Sequence, residues 1–211
     1  MWVAFADPAG THARPALTHE GRGPHDRYMP PRMVALVFDE VGRRNLDLVR
    51  ALYDKDRVDI APPVVTLVAP FEEGTSTHEL AQFVGVIVSA HQPFVLQMGN
   101  AERYFDGDEQ LLQLTAGEGA EACQRLAAGL YRDVFPHHEP DQTAHSPAGR
   151  MAITVGRFTR ESEADDAARE LGEKSYFLVM SEVAILQSVG EDGGWDIVET
   201  YPLGSLAGGS S

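Results

Sequence analysis

Two short stretches constrain this chain more than anything else in it. One is Pro63 to Phe71, Pro-Val-Val-Thr-Leu-Val-Ala-Pro-Phe; the other is Met151 to Phe158, Met-Ala-Ile-Thr-Val-Gly-Arg-Phe. Each is an apolar, β-branched run with a threonine near its middle and a phenylalanine at its close. Val, Ile and Thr fit a pleated strand and lose χ1 freedom in a helix, so both runs read as strands. Side chains alternate along a strand, which puts Val64 on the face of Thr66 and Ala152 on the face of Thr154. A helix-like segment follows each run, so the chain carries a weak internal repeat of strand and helix.

Periodicity supplies the remaining elements. Met33 to Phe38 is apolar enough for a central strand, and Asp39 can cap a helix with Leu46, Val49 and Leu52 on one side. Gly74-Thr75-Ser76 breaks the chain. Ser76 and Glu79 then form a capping box for a helix striped by Leu80, Phe83, Val84 and Ile87 and ended by Pro93. Phe94 to Met98 and Glu109 to Thr115 read as strands, and Glu102 to Asp108 between them carries the turn Asp106-Gly107-Asp108. A helix from Gly119 to Val134 turns Cys123, Leu126, Ala127 and Leu130 inward. Another, Thr159 to Leu171, turns in Ala164, Ala167, Ala168 and Leu171. Tyr176 to Gln187 and Trp195 to Pro202 are the last strands. At least six strands and four helices make an α+β chain. Residues 1–31, rich in Pro, Gly, His and Arg, read as an irregular extension, with Met29 and Met33 as alternative starts. Residues 32–204 read as a single domain and 205–211 as a flexible tail.

The two threonine runs resemble a known family. The 2H phosphoesterases, which include 2′-5′ RNA ligase and cyclic phosphodiesterase enzymes, carry two His-x-Thr-x motifs, each in a strand. Val64-Val65-Thr66-Leu67 and Ala152-Ile153-Thr154-Val155 stand in those places. The flanks are similar too: Pro62 and Pro63 before the first, Ala69-Pro70-Phe71 after it, and Gly156-Arg157-Phe158 after the second. So is the end, Ser181 to Leu186, Gly194-Trp195 and Thr200 to Gly204, and the likeness spans Met33 to Gly204. It implies a LigT-like α+β fold: two similar lobes, each an antiparallel sheet with outer helices, around a central cleft.

In the enzymes of that family one motif histidine acts as base, the other as acid, and the threonines hold the phosphate oxygens. Imidazole titrates near neutral pH, which suits the pair to that division of labour. Here both histidines are missing, with Val64 and Ala152 in their positions, and neither side chain can move a proton. Thr66 and Thr154 keep their hydroxyls, which can donate to an anion or bond nearby backbone. Arg157 adds charge, although three residues of a regular strand would turn it away from Thr154. The resemblance with these departures implies a catalytically degenerate 2H protein, a pseudoenzyme. It would bind a small phosphate ester or nucleotide through Thr66, Thr154 and Arg157, without cofactor or metal.

Two other readings stand beside that one. The chain can be a scaffold or interaction protein that keeps only the fold. Alternatively it is an active cyclic phosphodiesterase that recruits His137, His138 or His145, or a metal, from the irregular loop Pro136 to Gly149. Charge narrows the choice. Seventeen Lys and Arg against 32 Asp and Glu give a net charge of −15, a field that opposes nonspecific nucleic-acid binding. No apolar run approaches the roughly 20 residues that cross a bilayer, and no secretory pattern opens the chain. The single cysteine, Cys123, excludes an internal disulfide and reads as a core residue. His12, His19 and His25 are spaced too irregularly for a metal signature, and His78 reads as a surface residue. These features point to a cytoplasmic protein and leave its oligomeric state open.

Overall fold

The computed structural model describes residues 30–71, 77–106, 109–136, 151–172, 174–190 and 194–204. The expected N-terminal extension, Ser76 of the capping box, the tip of the Asp106-Gly107-Asp108 turn, the histidine loop and the tail lie outside them.

Seven strands form one antiparallel sheet in the order β2-β1-β6-β3-β4-β5, with β7 also paired to β6. They are β1 (Arg32–Phe38), β2 (Val64–Phe71), β3 (Phe94–Asp106), β4 (Glu109–Ala116), β5 (Ala152–Phe158), β6 (Tyr176–Val189) and β7 (Gly194–Pro202). The 14-residue β6 serves two half-sheets. Its later part takes β1 on one edge and β7 on the other, whereas its first five residues, Tyr176 to Met180, take β3. Met180 is opposite Phe38 of β1 and also opposite Phe94 of β3, so β3 and β7 lie end to end along one edge. One half is therefore β2-β1-β6-β7 and the other β6-β3-β4-β5, the two lobes that the family resemblance implies.

Four helices are described: α1 (Glu40–Tyr53), α2 (Thr77–Ser89), α3 (Ala120–Asp133) and α4 (Glu161–Gly172). In the first lobe α2 packs on β7 and α3 on β2; in the second, α4 packs on β3 and β4 and α1 on β5. Each lobe thus borrows a helix from the other half of the chain. One continuous apolar core lies under all four, with Leu36, Leu67, Leu112, Leu126, Val155 and Ile185 among its buried members. Burial of this kind is the dominant favourable term in holding sheet and helices together.

Local chemistry explains the helix starts and stops. The Asp39 carboxylate accepts from the Gly42 N–H at 2.7 Å, capping α1 as expected. α3 instead starts at Gly119, with φ at +90° and no side-chain cap. A Cβ there would stand 2.3 Å from the Val95 carbonyl oxygen, so only glycine fits. On α4 the acids near the N-terminal end do more than suit the helix dipole. Arg103 of β3 pairs with Glu161 at 3.1 Å and with Asp165 at 3.0 Å, tying helix to strand.

Three sequence expectations shift. Leu52 is 73% exposed, because at 100° per residue Tyr53, seven after Leu46, takes the inward position. Phe83 is 59% exposed, on the rim of a stripe made by Leu80, Val84 and Val88. Glu102 to Asp106 is strand and not turn. A register shift beside Asn100, whose φ is 47°, lets β3 absorb one extra residue and keep pairing with β4 to Asp106. Asn tolerates that conformation better than most residues.

Candidate functional site

β2 and β5, the strands at the two ends of the sheet path, approach each other. The faces turned away from the helices carry the motif positions. In the first lobe Val64 is opposite Val37, and Thr66 is opposite Ala35, which is in turn opposite Ala184. Met33, Ala35, Val37, Ala184 and Leu186 form a second, separate apolar cluster there, with Val64 and Trp195 packed half-buried against it. The first histidine position is thus part of a greasy surface, beside a half-buried Thr66.

In the second lobe Ala152 is opposite Thr115, and Thr154 is opposite Gln113. Ala152 is only 1% exposed, so the second histidine position is covered and lies away from solvent. Gln113 is fully buried; its Nε2 donates to Thr154 Oγ1 at a long 3.4 Å, and its Oε1 has no partner. A buried amide oxygen left unpaired costs roughly 1–3 kcal/mol, so this one marks a polar spot with unused capacity. Sequence reasoning passed over Gln113, although a lone polar residue inside Leu111-Leu112-Gln113-Leu114 was the available signal.

Arg157 departs from the regular-strand expectation. Gln113 faces Thr154 but Leu112 faces Gly156, so β5 gains a residue at Val155 and the alternation resets. Arg157, opposite Leu111, returns to the face of Gln113 and Thr154. Its Nη1 donates to Glu109 Oε2 at 3.1 Å, and its Nε lies 3.6 Å from Asp54 Oδ2, an ion pair too long for a hydrogen bond. Asp54 ends α1 and is buried. Burial raises its carboxyl above the usual carboxylate range, while Arg157 and Arg50 pull the other way. Next to it, a Cβ on Gly156 would come within 2.8 Å of the Phe158 ring and 3.0 Å of Tyr53 Cβ, so the bare glycine leaves room for both aromatic residues to pack there. The Tyr53 hydroxyl donates to Glu170 Oε2 at 2.7 Å, and burial followed by that carboxylate pushes the phenol up to about 12. A cavity of about 440 Å³ opens here, lined by Tyr53, Asp54, Arg57, Glu109, Arg157 and Phe158 among others.

The remaining candidates divide. His137, His138 and His145 lie outside the described residues. Among the described residues no group of three or more His, Cys, Asp or Glu is placed to hold a metal ion. His78 is exposed on α2 beside Gln82. Cys123 is buried in the core and its thiol is pushed up to about 12 by that burial, the opposite of an activated nucleophile. Native protein should therefore react with a disulfide-exchange reagent at least about 100-fold more slowly than denatured protein, because labelling must wait for unfolding. Fast labelling of the native thiol would contradict the packing. No helix among the described residues is long and apolar enough to cross a membrane.

Known structures share this architecture. TT0787 of Thermus thermophilus superposes with a TM-score of 0.57 at 16% identity, covering 82% of this chain and 98% of its own. E. coli LigT complexed with NADP+ gives 0.52 at 14% identity, covering 84% and 99%. The same protein complexed with ATP gives 0.52 at 16% identity over the same shares. At these identities the likeness is one of fold. No curated protein matches the sequence. The profile of the 2′-5′ RNA ligase superfamily does match, over residues 37–191, a span that includes both threonine strands. The chain belongs to the 2′-5′ RNA ligase superfamily.

Proposed function

We propose that this protein is a catalytically silent member of its superfamily, and that its cleft binds a small phosphate-bearing, nucleotide-like ligand without turning it over. The observation that carries the first half is the surroundings of the two histidine positions. Val64 packs half-buried against an apolar cluster and Ala152 is buried, so neither position carries a proton donor or acceptor and neither has polar surroundings that would replace one. General acid–base groups contribute about 10²–10⁴-fold each, and the loss of both removes most of such a mechanism. The second half is supported by what remains on the same faces. Thr66 and Thr154 offer hydroxyls, Gln113 an underused amide, and Arg157 positive charge at the end of the second face. LigT, which shares the fold, has been crystallised with 3′-AMP and with ATP.

The test is a 2′,3′-cyclic nucleotide hydrolysis assay on the full chain, with and without chelator, beside a variant carrying alanine at His137, His138 and His145. No turnover above background is expected from either protein, together with a thermal shift on adding nucleotide. Turnover lost in the triple variant would overturn the silent reading in favour of a relocated histidine; turnover lost to chelator would do so in favour of a metal.

A second reading has one specific observation behind it. The first lobe's cleft face is apolar around Val64 and Trp195. That surface suits a scaffold that keeps the fold and holds another macromolecule. The absence of any nucleotide-induced thermal shift would favour it.

A further inference from the structure

The cavity beside Arg157 has a chemistry of its own, and it lies on the strand that carries Thr154. Its walls bring four carboxylates, Asp54, Asp56, Glu109 and Glu163, against three cations, Lys55, Arg57 and Arg157. A site with that balance is a poor receptor for a phosphate and a better one for a neutral group with mixed donors and acceptors. Two aromatic rings, Tyr53 and Phe158, also line it, 6.3 Å apart and tilted by 51°. They present flat apolar surface of the kind that planar heterocycles pack against.

The polar groups there have unused hydrogen-bonding capacity. The guanidinium of Arg157 has five N–H donors, and among the described residues it makes one hydrogen bond, to Glu109. Asp54 has two carboxylate oxygens. Its contact with Arg157 is 3.6 Å, beyond hydrogen-bond length; the Asp54 side chain is buried, while Arg157 is about a third exposed and reachable from the cavity. Burial favours the protonated acid, so a ligand donating two N–H bonds would stabilise the charged form that the protein alone disfavours. The distance also fits. Arg157 is two rungs of the β4 ladder beyond Thr154, about 7 Å at the rise of a strand, and its long side chain extends the reach toward that of a nucleotide's base edge from its phosphate.

We infer that this cavity is a nucleobase subsite selective for guanine, with the Asp54 carboxylate accepting from the base N1–H and N2–H groups and Arg157 donating to O6. Guanine alone among the common bases sets two adjacent donors beside an acceptor on one edge. Adenine offers a single donor next to a lone pair, which would face one oxygen of Asp54 unfavourably. Tyr53 and Phe158, which pack against each other, then supply an apolar wall beside the ring. The inference rests on the reading that Thr66 and Thr154 hold the ligand's phosphate, and it names the nucleotide that such a cleft would prefer.

The experiment is titration calorimetry of the full chain with GMP, IMP, AMP, guanosine and inorganic phosphate, on the parent and on Asp54→Asn. IMP keeps N1–H and O6 but lacks the 2-amino group, so it tests the carboxylate pairing without altering the protein. A matched bidentate pair discriminates by about 10- to 100-fold. GMP should bind the parent tighter than AMP by that factor, with IMP between them, and Asp54→Asn should remove most of the preference. Equal affinity for GMP, IMP and AMP would overturn the guanine subsite and leave phosphate binding standing. Guanosine binding as tightly as GMP would support the subsite while overturning the role of the threonines. No binding of any of the five would overturn both. If Asp54→Asn does not fold, the order of GMP, IMP and AMP on the parent decides alone.

Discussion

Gly119→Ala, at the tightest fit for an added Cβ among the described glycines, is expected to destabilise the protein by about 4 kcal/mol. Two costs combine. The φ of +90° lies where side chains other than glycine's are strained, which costs on the order of 1–3 kcal/mol. The added Cβ would also sit 2.3 Å from the Val95 carbonyl oxygen. Backbone cannot rotate aside as a side chain can, so β3 or the start of α3 has to move, and overpacking of this kind costs about 1–3 kcal/mol more. For a chain of this length, that is a fall in melting temperature on the order of 10 °C, readable by circular dichroism. Gly172→Ala is the control. Nothing lies within 4 Å of its added Cβ at the end of α4, so it should leave the melting temperature within a degree or two or raise it. Equal melting of parent and Gly119→Ala would mean that the tight turn against Val95 does not form.

The second large effect concerns the missing histidines. Ala152→His should not restore catalysis; it should damage the fold. Ala152 is 1% exposed, on a strand paired with β4, so an imidazole has to displace the groups that cover it and bury a polar ring. The two costs together come to about 3 kcal/mol or more. Val64→His should be milder, about 1–2 kcal/mol, since Val64 is only half-buried and can turn an imidazole toward water. The double variant should therefore melt far below the parent and hydrolyse no 2′,3′-cyclic nucleotide. Recovered turnover in a stably folded double variant would show that the site lost its histidines and nothing else.

Much of the architecture is legible in the sequence because strand and helix periods differ so clearly. The threonine runs, the Met33 to Phe38 strand and the Asp39 cap come directly from residue type and spacing, and each is where the pattern puts it. What fails to show through is whatever depends on register. The extra residues at Asn100 and Val155 lengthen β3 and turn Arg157 back toward Thr154, and no local composition marks either one. A bulge is decided by the partner strand, which a single run of sequence cannot see. Gln113 and Asp54 were missed for a related reason. Their interest comes from neighbours more than 40 residues away, Thr154 for one and Arg157 for the other.

The crossing of α1 and α3 between the lobes bears on how the chain can be made. The first lobe needs β1 and β2 from one end of the sequence and β6 and β7 from the other; the second takes its α1 from ahead of β2. No contiguous stretch contains a finished core. During synthesis, which proceeds from the N-terminus, the nascent chain holds apolar strands and helices without their partners until β6 emerges. Such long-range pairing is slow and exposes sticky surface while it waits. Messages truncated before Tyr176 should yield insoluble product rather than a smaller folded lobe, and the full chain should unfold in one cooperative step.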